Sequence, residues 1–247
     1  MEIAFDNSLL FLICIAVIAL FYGSVGHGGA TGYLALMAIF NFSPIVMKPT
    51  ALVLNLVVSS IAFYHYYRSG SFKSTLFIPF AVGSIPLSFL GGYIDVDPSL
   101  YKKILAVLLL ISVFKLLPFG TKNGNKKKKL SLITALSIGA GIGFFSGLIG
   151  IGGGIILSPL IVLFNWGNIK EAAGVSALFI FVNSAAGISG QFLNNISLSP
   201  NITTLILVVL IGGFVGSYFG SKKAKSSGLK LLLCLVLLFA SAKLFIV

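Results

Sequence analysis

The sequence predicts an all-α polytopic membrane protein of two inverted-topology repeats. Each repeat has about five apolar segments, with broken or re-entrant short helices at glycine loops. Three observations predict this. Hydrophobic residues make up 57% of the 247 residues and charged residues only 9%, whereas a soluble domain carries ~25% charged residues. One glycine motif occurs twice. Gly23-Ser24-Val25-Gly26-His27-Gly28-Gly29-Ala30 returns as Gly147-Leu148-Ile149-Gly150-Ile151-Gly152-Gly153-Gly154, an offset of 124 residues. Finally, equivalent loops of the two halves carry opposite charge bias, as an odd number of crossings per repeat requires.

The first apolar segment, 8–26, runs into the first glycine motif. Glu2 and Asp6 precede it, an acidic leader where a cleavable signal needs a basic one, so the segment is expected to remain as a membrane helix. The second, 30–45, has a short apolar core, Ala30–Phe40. That is ~16 Å of helix against ~30 Å of hydrocarbon. It is therefore expected to be re-entrant, or to be a half-helix meeting its neighbour at the glycine loop. Segments 49–67, 75–93 and 100–118 approach spanning length. After the polar linker, 130–149 runs into the second motif and 153–167 holds the second short core, Gly154–Phe164. Segments 172–191, 202–221 and 229–247 complete the chain. The expected organisation is a first repeat at 1–119, a basic cytoplasmic linker at 120–129 and a second repeat at 130–247, together one integral membrane domain.

The halves keep matching beyond the glycines. Phe40-Asn41-Phe42 pairs with Phe164-Asn165-Trp166 at the offset of 124. Asn55 pairs with Asn183, and Lys115 with Lys243, at 128, and Gly83 and Gly91 pair with Gly212 and Gly220 at 129. A fixed period of this kind indicates internal duplication.

Loop charge gives orientation. Lys126–Lys129 place the linker on the cytoplasmic side. Counting five crossings each way puts both termini outside. The 68–74 loop, with Arg68 and Lys73, then falls inside, and the 94–98 loop, with Asp95 and Asp97, outside. In the second half the uncharged 192–201 loop falls outside, and the 221–230 loop, with Lys222, Lys223, Lys225 and Lys230, inside. Lys48, Lys102 and Lys103 are exceptions on the outer side. The net charge of +12 is explained by these flanking lysines. The expected partners are therefore membrane lipids and a small anionic substrate, not nucleic acid. The oligomeric state is open, with a homodimer as one arrangement.

No enzyme is expected. The chain has no Walker A sequence, no HExxH and no nucleophile elbow. Cys14 and Cys234 lie in apolar segments, which favours packing over a disulfide or a metal site, and no cofactor is expected. No carboxylate lies deep in an apolar segment, which argues against a carboxylate proton relay.

The candidate site is built on the glycine loops. A helix beginning at Ala30 or Gly154 aims free backbone N–H groups at its loop, and such termini attract anions. The candidate substrate-binding residues are Gly26, His27, Gly28, Gly29, Gly150, Ile151, Gly152 and Gly153, with Thr50, Asn55, Ser176, Asn183 and Gln191 on neighbouring polar faces. His27 has Ile151 as its counterpart and is the one side chain in the loops suited to relaying a proton. Its alternative is a neutral histidine bonded to backbone. Ser59, Ser60 and Ser184 continue the polar faces, and Gly91-Gly92 and Gly212-Gly213 are expected to serve close helix packing. His65, beside Tyr64, Tyr66 and Tyr67, is expected at the cytoplasmic interface.

The second glycine motif, followed by Pro159 and by Ala172-Ala173-Gly174-Val175-Ser176, resembles the TauE/SafE family of sulfite and organosulfonate exporters. A weaker copy is Gly26-His27-Gly28-Gly29 with Lys48-Pro49-Thr50. The resemblance covers nearly the whole chain. It implies an inner-membrane permease that moves a small sulfur-containing anion by alternating access, in the export direction. Proton- or sodium-coupled uptake, a passive anion channel and a membrane subunit without transport of its own are the alternatives. Two departures fall at the candidate site: His27 stands where the family has an aliphatic residue, and Pro49-Thr50 where Gly-Thr is usual.

Overall fold

A computed structural model describes residues 5–116, 128–194 and 196–222, together with residues 238 and 242. Most of the linker, the last apolar segment with Cys234, and both extreme termini lie outside the described residues. All regular structure among the described residues is helical. In chain order the helices are α1 (Phe5–Ser24), α2 (Ala30–Ile39), α3 (Pro44–Arg68), α4 (Ser74–Tyr93) and α5 (Pro98–Leu116). After the linker come α6 (Leu132–Ile149), α7 (Gly154–Leu163), α8 (Ile169–Gln191) and α9 (Ile202–Lys222). Helices satisfy their own backbone groups, which apolar surroundings demand. Five of them, α3, α4, α6, α8 and α9, are long and apolar enough to cross a membrane. Large apolar side chains such as Ile133, Leu163 and Ile211 are exposed on the outside, as an integral membrane protein facing hydrocarbon requires.

The two glycine motifs lie in matching backbone surroundings. Both short helices have 10 residues, and each begins after a left-handed glycine, Gly29 or Gly153. Each is followed by a left-handed asparagine, Asn41 at φ 60° and Asn165 at φ 58°. Two helix starts lie earlier than the apolar pattern indicates. α3 begins at Pro44, not 49, because a proline in the first turn gives up no hydrogen bond. α8 begins at Ile169, not 172, because Asn168 and Glu171 form a capping box: the Asn168 side chain accepts from Glu171 N–H at 2.9 Å, and Asn168 N–H donates to Glu171 Oε2 at 3.0 Å.

The halves interleave. α4 packs on α6, and its counterpart α9 packs on α1. Both contacts are backbone to backbone, through glycines four residues apart. Gly139, Gly143 and Gly147 of α6 lie against the carbonyls of Phe80, Ser84 and Ser88 in α4. Gly212, Gly216 and Gly220 of α9 lie against those of Ala16, Leu20 and Ser24 in α1. Residues i and i+4 share a helix face, so each glycine row is a groove into which the other backbone fits. Gly91 and Gly92 serve the same close packing, against Phe144 and Gly187.

α3 and α8 form the buried centre and run antiparallel, each beginning beside the loop that follows the other. Thr50 Oγ1 accepts from Ser199 N–H at 3.1 Å. Gly174 lies against Ser71 O. These two contacts are repeat counterparts: Thr50 to Gly174 is the offset of 124, and Ser71 to Ser199 that of 128. His65, expected at the cytoplasmic interface, has its Nδ1 bonded to Ser217 Oγ of α9 at 2.8 Å and its ring packed on Phe214 and Tyr218.

Candidate functional site

The two glycine loops reach α3 from its opposite ends. At the C-terminal end, Tyr66 donates to the Ser24 carbonyl at 2.8 Å, where the first loop begins. At the N-terminal end, Gly150 of the second loop lies against the Lys48 backbone. Lys48 and Tyr66 are 18 residues apart, ~27 Å along the helix. The loops then converge on the middle. Gly28 and Gly152 both pack against the Asn55 carboxamide and against Ile180 of α8. Asn55 Oδ1 accepts from the Ala30 N–H at 3.0 Å, and Asn55 Nδ2 donates to Ser184 Oγ at 3.4 Å. α2 therefore starts level with the middle of α3.

Asn55 caps α2 from across the bundle: its amide oxygen takes the helix N-terminal donor that an anion would otherwise take. The counterpart Asn183 does not repeat this. Its Nδ2 donates to Phe179 O, one turn back in its own helix, at 2.8 Å, and its buried Oδ1 has no partner. No side chain caps α7. Among the described residues nothing accepts the N–H of Gly152, Gly153 or Gly154. Two buried hydroxyls without partners belong to residues beside that terminus, Ser146 and Ser176. Gly153 packs near Ser146 and Gly154 near the Ser176 backbone. The second loop thus combines free amide donors with unpaired hydroxyls, groups that favour a ligand with anionic oxygens.

The remaining candidates have other surroundings. His27 Nδ1 lies 2.9 Å from the Val25 carbonyl and Nε2 lies 2.9 Å from Ser158 Oγ of α7. A carbonyl only accepts, so Nδ1 carries the proton, and a neutral ring accepts from the serine at Nε2. His27 is thereby a strut between the two short-helix units. Gly26 packs on Ala173 at the start of α8, as Gly150 packs on Lys48 at the start of α3. Gly29 packs on the Tyr33 ring, and Ile151 is buried in the core. Thr50 is engaged by Ser199, and Gln191 lies at the end of α8, where its buried Nε2 has no acceptor. Sequence reasoning missed Ser146 and Ile180. Ser146 directly precedes the second glycine motif, which is the one available signal, while nothing in an apolar helix distinguishes Ile180. Among the described residues no cluster of His, Cys, Asp or Glu is arranged to hold a metal.

Comparison with known proteins gives a family and three relatives described as membrane transporters. The family profile described as sulfite exporter TauE/SafE matches residues 10–244. "Probable membrane transporter protein y4hK" of Sinorhizobium fredii is 35% identical over 94% of this chain and 96% of its own length. "Probable membrane transporter protein ORF9" of a Sinorhizobium species is 26% identical over 98% of this chain and 92% of its own. "Probable membrane transporter protein YdhB" of Bacillus subtilis is 25% identical over 87% of this chain and 89% of its own. No solved structure matches.

Proposed function

The chain belongs to the sulfite exporter TauE/SafE family, and from that membership we propose that it is a secondary carrier exporting a small sulfur-containing anion, sulfite or an organosulfonate, across the cytoplasmic membrane. That it is a membrane transporter follows from the family and its relatives; the substrate, direction and mechanism are our reading. The observation that carries it is the convergence of two glycine loops on Asn55 from opposite ends of α3. Backbone N–H groups of the second loop, with Ser146 and Ser176, bind the anionic oxygens. Asn55 and Asn183 orient the ligand, and His27 with Ser158 couples the two loops. Such a site needs no full positive charge at its centre. An inside-negative potential favours anion efflux by ~2.3 kcal/mol per charge per 100 mV, so export runs without an intramembrane carboxylate. In proteoliposomes, sulfite or methanesulfonate flux is expected to saturate and to follow the imposed potential with no proton or sodium gradient. Flux that demands either gradient would replace export with coupled uptake.

Alternating access between inverted repeats is the mechanism we infer. The reciprocal contacts of α3 and α8, and the entry of the loops from opposite ends, support an inverted pair. Ser69 and Ser197 lie exposed in the equivalent α3–α4 and α8–α9 loops. With Cys14 and Cys234 replaced, Ser69→Cys and Ser197→Cys are expected to react with a membrane-impermeant thiol reagent from opposite sides, Ser69→Cys from the cytoplasm. Labelling of both from one side would rule out inversion.

A further inference from the structure

A pocket of about 600 Å³ opens at the start of α3, bounded by Lys48, Asp95, Tyr101, Leu148, Gln191 and Asn194. It adjoins the second glycine loop: Tyr101 donates to the Ile149 carbonyl at 3.0 Å, and Gly150 lies against the Lys48 backbone. Lys48 is the one cation among the pocket-lining residues. Its ammonium donates to the carbonyls of Gly92, at 3.1 Å, and Ile94, at 3.5 Å. It has no carboxylate within ion-pair distance; among the described residues the ion pair is Lys73–Glu171. Two carbonyls leave one of its three N–H donors over. Gln191, 5% exposed, lines the same pocket, and its Nε2 is buried beneath the pocket surface without an acceptor. The pocket thus has an ammonium with a donor to spare at its surface and, beneath that surface, an amide donor without an acceptor, groups that favour an acceptor-only ligand.

We propose that this pocket is an anion subsite, distinct from the loop centre, where Lys48 and Gln191 bind a monoanionic sulfonate or hydrogensulfite on its way to or from the second glycine loop. The Asp95 carboxylate, also on the wall, sets the charge preference. One ammonium opposed by one nearby carboxylate suits a single negative charge better than two. The subsite rests on the reading of the chain as an anion carrier. The competing role for Lys48 is structural, as a cation holding the last carbonyls of α4. Glutamine separates the two roles, since it still donates to a carbonyl but carries no charge.

The test is binding first and transport second, on the purified full chain. Methanesulfonate is expected to raise the melting temperature of the wild type at lower concentration than sulfate does. Lys48→Gln is expected to raise the half-saturating methanesulfonate concentration by about tenfold or more, and Lys48→Arg to stay within about threefold of wild type. Gln191→Glu, which adds a like charge without changing shape, is expected to weaken binding similarly, and it carries the test if Lys48→Gln does not fold. Unchanged half-saturation in Lys48→Gln and Gln191→Glu, or a wild type stabilised by neither anion or by sulfate more than methanesulfonate, would overturn the subsite. Binding that depends on Lys48 without any anion flux in proteoliposomes would leave the subsite standing and sink the carrier reading. Saturable flux whose half-saturation is the same in Lys48→Gln would do the reverse.

Discussion

Gly147→Val is expected to cost this protein its fold. Gly147 faces the Ser88 carbonyl so closely that an added Cβ would overlap the backbone oxygen, and Gly92 N and Ser88 C stand just behind it. Backbone cannot rotate away as a side chain can, so α4 and α6 would have to separate along their whole contact. Gly139 and Gly143, one turn apart on the same face, would lose their seats against Phe80 and Ser84. An ordinary overpacked core costs ~1–3 kcal/mol; a helix pair forced apart costs more, and membrane helices have no hydrophobic drive to re-associate. Gly141→Val is the control in the same helix, because Gly141 has nothing within 4 Å of where a Cβ would stand. We expect Gly147→Val to be lost to aggregation on detergent extraction, while Gly141→Val elutes as one species with wild-type thermal stability. Equal behaviour of the two would mean that the glycine row is not a contact.

Gly152→Ala is expected to leave the bundle assembled and abolish transport. Gly152 sits at φ +70°, where an L side chain costs ~1–2 kcal/mol. Gly70 has φ +71° and open space around it, so Gly70→Ala isolates that backbone cost. At Gly152 the new methyl would also stand 2.5 Å from Asn55 Nδ2 and 2.8 Å from Ile180 Cγ2. The flexible amide is the group that yields. Its displacement breaks the bond to Ala30 N–H that starts α2 and the bond to Ser184, and so uncouples the two loops. We expect Gly70→Ala to transport sulfite at near the wild-type rate and Gly152→Ala to fall to the rate of empty liposomes. Gly70→Ala should melt within a few degrees of wild type, by the ~1–2 kcal/mol of the backbone strain, and Gly152→Ala, which also loses two buried hydrogen bonds, should melt lower still but remain folded. Flux in Gly152→Ala equal to that in Gly70→Ala would remove the loop crossing from the mechanism.

Much of the fold was legible because membrane insertion makes sequence unusually literal. Long apolar runs had to be helices, and a cluster of glycines within one had to be a break. Hence 8–26, 75–93, 130–149 and 202–221 correspond closely to α1, α4, α6 and α9. Helix starts were less legible where polar chemistry decided them, as with Pro44 in the first turn of α3 and the Asn168–Glu171 box of α8. The site was half legible. Glycine reports where backbone departs from a helix, and Gly28 and Gly152 of the two loops pack against the same Asn55 and Ile180. Asparagine reports only that an intramembrane polar group needs a partner, not which partner it finds. Asn55 and Asn183 are equivalent in sequence, yet one joins both loops and the other turns back on its own helix. His27 offered two readings in sequence, a proton relay or a neutral histidine bonded to backbone, and only the structure shows its two partners, the Val25 carbonyl and Ser158. Lys48 read as an exception to a charge rule and turned out to line a pocket.

The membrane class, the family and the two glycine breaks can be read from the chain alone, because each depends on composition or on spacing along it. Only the packing of the helices shows that the breaks meet at one asparagine, that Ile180 and Ser184 of the other half complete the meeting, and that Lys48 and Gln191 line one pocket. The residues brought together stand from 25 positions apart, as Ala30 and Asn55 do, to more than a hundred, as Asn55 and Ser184 do. Their partners are chosen by how closely glycine-lined backbones approach, and no local pattern encodes that distance.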